Sequence, residues 1–126
     1  MSVVLDSSAV LALLWDEPGG DLVAEHLDGA VMSTVNYAEV LTKIIDRGID
    51  EKRAKLFLAS LAIETITFDK FQAETSSQLR SQTRQLGLSL GDRACLALAM
   101  SKGWPALSAD KAWAELKNGT VVRLVR

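Results

Sequence analysis

Three aspartates of this sequence stand where helices are expected to begin, and their carboxylates are its best candidates for chemistry. Asp6 follows the β-branched stretch 3–5, Asp92 opens a nearly all-apolar stretch, and Asp110 follows the apolar residues 105–108. Each could simply cap its helix, because an Asp side chain accepts hydrogen bonds from the free N–H groups of a first turn. Gathered in one place, however, they would raise one another's pKa values unless a cation neutralised them. Oxygen ligands of this kind suit Mg²⁺.

The elements that must position these groups alternate between short strands and helices. Strands are predicted at Val3–Leu5, Ala30–Ser33, Ile63–Phe68, Pro105–Ser108 and Val121–Val125. Helices are predicted at Ser7–Trp15, Pro18–Leu27, Thr34–Arg47, from Asp50, at Asp69–Leu86, from Ser89, and at Asp110–Lys117. This alternation predicts a three-layer α/β/α fold around a central, mainly parallel sheet of short strands. Without linkers or repeats, the chain reads as one domain over residues 1–126.

Such a fold would bring the three aspartates together. Ligands of open parallel sheets bind at the carboxyl ends of the strands, where Asp6 and Asp110 are expected. The helix of Asp92 enters strand 105–108 through a tight connection at residues 103–105, so helix and strand should run antiparallel. The start of that helix then lies near the far end of the strand, beside Asp110. We therefore expect the three carboxylates to converge.

Glu39 is a fourth candidate, although the periodicity of its helix favours a solvated position. Apolar residues cover most of its helix, and Glu39 falls on a narrow polar stripe with Asn36 and Lys43. Glu39 and Lys43 have the favourable i,i+4 order for a surface ion pair, which predicts a solvated face. The stripe could line a cleft instead, because its helix also begins at the carboxyl edge of the sheet.

Composition limits the possible classes of protein. The chain has 126 residues, 48% of them hydrophobic, and a net charge of −2, which argues against a generic polyanion binder. Residues 1–42 carry seven acidic and no basic residues, whereas residues 43–126 carry nine acidic and fourteen basic ones. The single Cys95 excludes an internal disulfide, and no Cys/His set for zinc exists, which favours a reducing, cytoplasmic setting. We expect a soluble protein without signal peptide or membrane span.

Four segments, in this order and spacing, make the sequence resemble a PIN domain, and within that superfamily a VapC-type toxin of toxin–antitoxin pairs. They are "VVLDSSAVLALL", "STVNYAEVLTKI", "GLSLGDRACLALA" and "ALSAD". The resemblance implies a metal-dependent ribonuclease whose acidic quartet is Asp6, Glu39, Asp92 and Asp110. Asp6 and Asp92 match the positions most often described as Mg²⁺ ligands. The residues that match supporting polar positions are Ser8, Asn36 and Ser108.

The implied reaction is hydrolysis of an RNA phosphodiester with Mg²⁺ or Mn²⁺. Water is the expected nucleophile, because His26 reads as a surface residue and Cys95 as a small apolar core residue. The basic residues expected to contact RNA phosphates are Lys43, Arg93 and Lys111. The resemblance further implies a homodimer and a small antitoxin partner. Trp15 and the stretch "LFLASLA" could form the surface for either, or belong to the core.

Three other functions remain open from the sequence. A solitary PIN-type RNA-processing nuclease would carry the same acids. A phosphatase with an aspartyl nucleophile usually has a second Asp two residues after the first, and Ser8 stands there in this chain. A non-catalytic binding module would keep the fold and a metal but would have little need of all four acids. The sequence does not indicate which RNA is cut.

Overall fold

Five strands form a parallel sheet through the middle of the molecule. The structure is a computed structural model, and it describes residues 2–116 and 121–126. The strands are β1 (Val3–Leu5), β2 (Ala30–Ser33), β3 (Glu64–Ile66), β4 (Ala106–Ser108) and β5 (Val122–Leu124). Their order across the sheet is β3-β2-β1-β4-β5. The most central strand, β1, is completely buried, as expected for a parallel strand covered on both faces.

Helices cover both faces of the sheet. They are α1 (Ser7–Leu14), α2 (Gly20–Glu25), α3 (Thr34–Asp46), α4 (Glu51–Ala59), α5 (Lys70–Gln78), α6 (Arg80–Thr83) and α7 (Leu90–Lys102). Two 3₁₀ turns complete the described part at Arg84–Leu86 and Lys111–Glu115. Side-chain caps accept hydrogen bonds from first-turn N–H groups that have no partner within the helix. Asp50 caps α4 in this way, and Asp69 caps α5.

The sheet divides the core into two clusters. Val3 and Leu5 of β1 point into a cluster with the apolar faces of α1–α4, whereas Val4 points into a cluster with α7 and the segment after α5. This alternation follows from the two-residue period of a strand. The three-layer α/β/α architecture and its parallel sheet are therefore confirmed. No helix of the described residues is long and apolar enough to cross a lipid bilayer.

Several predicted bounds were wrong in ways that local chemistry explains. The helix predicted over 69–86 is divided into α5, α6 and a 3₁₀ turn, and within this stretch the Thr83 hydroxyl donates to the Leu79 carbonyl. Hydroxyl residues compete in this way with regular helical hydrogen bonds. The helix predicted from Pro18 begins only at Gly20, because Gly19 has a φ of +95°. The helix predicted at 110–117 is a 3₁₀ turn, and Lys117 lies outside the described residues.

Candidate active site

The order in which the strands are added to the sheet changes side between β1 and β4. The chain proceeds from β1 through β2 to β3 on one side, and then returns to β4 on the other side of β1. The crevice beyond the carboxyl ends of β1 and β4 is therefore a topological switch point, where open α/β sheets bind their ligands. Asp6 follows β1 directly and Asp110 lies two residues after β4, so both border this crevice.

Asp6 is the most firmly held of the carboxylates. Its side chain is buried and accepts from the Ala9 backbone N–H at 2.8 Å, which caps α1. The Ser108 hydroxyl donates to Oδ2 at 2.6 Å, and the Ser8 hydroxyl lies 2.8 Å from Oδ1 and 2.9 Å from Oδ2. Both oxygens of Asp6 are thus engaged by protein donors, and the side chain has little freedom to rotate.

The same two hydroxyls connect Asp6 to the chain that follows β4. The Ala109 N–H donates to Ser8 Oγ at 2.9 Å, and the Asp110 N–H donates to Ser108 Oγ at 3.0 Å. Asp110 is exposed and accepts from the Ala112 N–H at 3.0 Å, which caps the 3₁₀ turn. Ser8 and Ser108 therefore lie where the resemblance predicted supporting residues, between two of the acids.

Asp92 closes a capping box at the start of α7. Its Oδ2 accepts from the Ser89 N–H at 2.9 Å, while Ser89 Oγ accepts from the Asp92 N–H at 3.2 Å. Each of the three aspartates is thus a cap of its own helical segment, as the plainer interpretation predicted. Capping does not exclude a shared site, because one carboxylate oxygen is enough for a cap.

Glu39 lies within the site rather than on a solvated face. Its Oε1 accepts from the Ser7 hydroxyl and from Asn36 Nδ2, the latter at 3.0 Å. Asn36, placed by periodicity on the same polar stripe, is only 1% exposed, and its Nδ2 also donates to the Gly91 carbonyl at 3.0 Å. Glu39 and Lys43 form no ion pair within the part of the chain that the structure describes. Asn36 and Glu39 therefore face α1 and α7 while Lys43 of the same stripe is exposed, and the prediction of a surface ion pair was wrong.

The electrostatics show that the four acids share one neighbourhood. Burial raises the pKa of Asp6 to about 6, and the charge of Asp92 adds to the effect. Burial also raises the pKa of Asp92, as do the charges of Asp110 and Glu39. Beneath them, the pKa of the fully buried Cys95 thiol is raised well above its usual value, first by burial and then by three of these carboxylates. The charge of Asp92 therefore acts on or is acted on by those of the other three acids, whereas a closer arrangement of all four around one ion stays a prediction.

The three basic residues proposed as phosphate contacts differ in their availability. Lys43 and Lys111 are exposed. Arg93 is half-buried, and its Nη1 donates to the Ser76 carbonyl of α5 at 3.1 Å. The hydrogen bond to Ser76 would have to break before Nη1 of Arg93 could contact an RNA phosphate.

Two residues of the site were missed by sequence reasoning. Ser7 binds Glu39, although the resemblance pointed only to the neighbouring Ser8. Gly91 lies directly against the Glu39 carboxylate. Its position in the first turn of a helix was a signal that could have been used, because glycine is a poor helix former.

The donor groups have the chemistry that a hard divalent cation prefers, although their spacing is not that of a formed metal site. No three His, Cys, Asp or Glu side chains of residues 2–116 and 121–126 are arranged as a ready metal cluster. Glu39, Asp92 and Asp110 each use only one carboxylate oxygen in hydrogen bonds within this described part. Their other oxygens are the kind of ligand that Mg²⁺ prefers.

Comparison with known proteins agrees with this geometry. The family model of the PIN domain matches residues 3–119. The chain is 34% identical to "Ribonuclease VapC" of Mycolicibacterium smegmatis over 124 residues, which is 88% of this chain and 93% of the relative. It also shares its fold with VapBC2 from Rickettsia felis, a structure solved with a promoter DNA fragment (TM-score 0.77, 15% identity, 98% of each chain). VapBC-5 from Mycobacterium tuberculosis matches with a TM-score of 0.65 and 24% identity, over 100% of this chain and 99% of that chain. The chain therefore belongs to the PIN-domain family, in the group that includes Ribonuclease VapC, as its sequence motifs indicated.

Proposed function

We propose that this chain is a metal-dependent endoribonuclease that hydrolyses RNA phosphodiester bonds and serves as the toxin of a toxin–antitoxin pair. The observation that supports the proposal is that Asp92 interacts electrostatically with Asp6, Glu39 and Asp110, while Asp6 and Asp110 border the switch point of the sheet. Kinship with a protein named as a ribonuclease supports the choice of RNA as substrate.

In this proposal the residues of the chain would position the metal ion and supply the negative charge that binds it. Asp6 is fixed by Ser8 and Ser108, so it offers a rigid negative centre. When bound between these carboxylates, Mg²⁺ or Mn²⁺ supplies a water of lowered pKa and neutralises charge on the phosphoryl oxygens. The free oxygens of Glu39, Asp92 and Asp110 would hold that ion and orient its water by accepting hydrogen bonds. Cys95 is fully buried, which leaves water as the nucleophile.

An aspartyl-phosphate mechanism fits the site less well. A nucleophilic Asp must approach phosphorus with a free oxygen, whereas both oxygens of the buried Asp6 accept from hydroxyl or backbone donors. The position where phosphatases usually have a second Asp is occupied by Ser8, which holds Asp6 in place.

For substrate contacts we propose Lys43, Lys111 and, after release from Ser76, Arg93. Salt should weaken RNA binding if these residues neutralise phosphates, because each neutralised phosphate releases condensed counterions. Activity in the cytoplasm is part of the same proposal.

We further propose that an antitoxin docks on the apolar surface formed by α1, α3 and α4, and that the chain forms a homodimer. Leu56 and Phe57 of α4 are 66% and 47% exposed, although Leu58 between α4 and the sheet is buried. The stretch "LFLASLA" therefore divides between core and surface. A cavity of about 290 Å³ opens beside Phe57. Its lining is formed by Leu14, Trp15, Ile44, Arg47, Ile49 and Phe57.

Cleavage of RNA with defined metal content tests the nuclease proposal. The purified chain should cut RNA in Mg²⁺ or Mn²⁺ and lose this activity in EDTA, and Asp92→Asn should be inactive. Asp50→Asn is the matched control, because Asp50 also caps a helix through its carboxylate but stands before α4. Cleavage that survives in both EDTA and Asp92→Asn would discard the mechanism.

A further inference from the structure

We propose that Gly91 is a positioning residue, because the lack of a side chain there creates the seat in which the Glu39 carboxylate is held. The catalytic consequence of this inference rests on the proposed function, whereas the geometric claim can be tested without it.

Three helices, α1, α3 and α7, each contribute one residue to the seat. Gly91 of α7 forms its floor: a Cβ added there would overlap both carboxylate oxygens and the carboxylate carbon of Glu39. Ser7 of α1 and Asn36 of α3 form the sides by donating to Oε1. Because Asn36 Nδ2 also donates to the Gly91 carbonyl at 3.0 Å, one amide holds both the carboxylate and the floor.

Both carboxylate oxygens of Glu39 lie against Gly91, but only one of them is held by hydrogen bonds. Both donors act on Oε1, and Oε2 accepts no hydrogen bond from the described residues. The seat therefore consumes one oxygen and leaves the other for a ligand. A shift of the carboxylate would change where that free oxygen lies relative to Asp92, whose pKa already responds to the Glu39 charge.

The crowding at Gly91 differs from the crowding at a structural glycine. A Cβ on Gly20 would lie 2.5 Å from the Ala12 carbonyl oxygen and 3.1 Å from Leu13 Cα, which are backbone atoms that cannot move away. At Gly91 the three nearest atoms all belong to the end of the flexible Glu39 side chain. The fold can therefore accept alanine at position 91 by releasing Glu39, and α7 would gain a better helix former.

The first experiment measures Mn²⁺ affinity by calorimetry in Gly91→Ala, Glu39→Asp and the double variant. Gly91→Ala should weaken Mn²⁺ binding by on the order of tenfold or more, the effect known for residues that orient metal ligands. In the Glu39→Asp background the shortened side chain no longer fills the seat, so Gly91→Ala should have little further effect. Ser101→Ala, an exposed change at the other end of α7, is the matched control and should bind Mn²⁺ normally. Unchanged affinity in Gly91→Ala would overturn the inference.

The second experiment uses thermal unfolding without metal or RNA, so that failure of the nuclease proposal leaves it decisive. Gly91→Ala should raise the Tm more in a Glu39→Ala background than in the natural chain, because only the natural chain must expel a carboxylate. Equal shifts in the two backgrounds, or a Tm loss as large as that of Gly20→Ala, would contradict the seat. A chain that neither binds Mn²⁺ nor cuts RNA would refute the proposed function alone.

Discussion

At the scale of single residues, the Asp6 carboxylate is almost completely buried. Its pKa is raised from the usual 3.8 to about 6, so its ionised form is disfavoured in the folded chain. Below about pH 4 the group is protonated in both folded and unfolded states and makes no difference. Between about pH 4 and 6 the folded state binds more protons, so the free energy of unfolding falls as pH rises. At pH 7 the ionised Asp6 costs about 3 kcal/mol, since each pKa unit corresponds to ~1.4 kcal/mol.

Asp6→Asn should therefore stabilise the metal-free chain at pH 7 while abolishing RNA cleavage. The amide oxygen can still accept from Ala9 and cap α1, and the new NH₂ group can donate to Ser108 or Ser8. Chemical denaturation at pH 7 should show the variant more stable, by up to about 3 kcal/mol, with the gain vanishing near pH 4. Asp50→Asn, a change at the exposed capping aspartate of α4, is measured alongside as the control. A variant no more stable than the natural chain at pH 7 would contradict the account of Asp6.

Ser108→Ala should raise the pKa of Asp6 further, because the Ser108 hydroxyl is the hydrogen bond that lowers it most. The acid limb of the cleavage pH profile should then move to higher pH, with activity at low pH falling more than activity at high pH. A uniform loss of activity at every pH would indicate a structural defect instead. Ser101→Ala, an exposed serine change on α7, serves as the reference.

At the scale of elements, α7 joins the site to the core. Its first turn holds Gly91 and Asp92, and from Ala94 to Ala99 every residue is buried against neighbouring elements. The capping box fixes the start of the helix and holds one oxygen of the Asp92 carboxylate on the Ser89 N–H. Stability and site geometry are therefore coupled at this one helix terminus.

Ser89→Ala should lower the free energy of unfolding by about 1 kcal/mol, the usual contribution of a side-chain N-cap. It should also weaken Mn²⁺ binding, because the first turn that carries Asp92 would fray. Ser89→Thr retains the accepting oxygen and should preserve both properties. Urea titration and calorimetry measure the two effects, and loss of neither in Ser89→Ala would show that the box is dispensable.

At the scale of the whole molecule, charge is separated along the chain. The first 42 residues hold seven acidic and no basic residues, including two acids of the site. An RNA phosphate approaching this crevice meets repulsion unless a cation and basic side chains offset it. The exposed Lys111, next to Asp110, is placed to provide part of that offset.

Lys111→Ala should weaken RNA binding and reduce its salt dependence. Measured in the inactive Asp92→Asn background, the slope of log K against log salt should fall by about 1 for each lost phosphate contact. Lys55→Ala is the matched control, because Lys55 is an exposed lysine paired with Glu51 at 3.2 Å on α4. An equal change of slope in both variants would show that Lys111 makes no specific contact with an RNA phosphate.

Phe57→Ser should weaken binding of the cognate antitoxin proposed above. Phe57 borders the apolar cavity on the α1, α3 and α4 side, and its loss removes buried contact area from the complex. Phe71→Ser on α5 replaces a phenylalanine that is even more exposed than Phe57, and it should leave capture intact. Co-purification of the cognate antitoxin with tagged variants of this chain measures the effect, and equal capture by both variants would place the partner elsewhere.

Much of this molecule could be predicted locally. The β-branched stretch of β1, the caps at Asp6, Asp50 and Ser89, and the alternation of strands with helices follow from short-range rules, and the structure retains them. Convergence of Asp6 and Asp110 followed as well, because parallel strands end at one edge whatever their side chains. The long polar stretch 69–86 defeated the same rules, since its propensities do not say where a helix breaks.

The amino-acid sequence by itself determined the layered fold, the family and the acids that a nuclease would need. Only the tertiary structure decided where Glu39 lies, since a polar stripe has the same period whether it faces solvent or lines a cleft. It also decided that Asn36 is buried and that Ser7 and Gly91 hold the Glu39 carboxylate. These contacts join α1, α3 and α7, and pairing between distant elements depends on packing that local patterns do not encode.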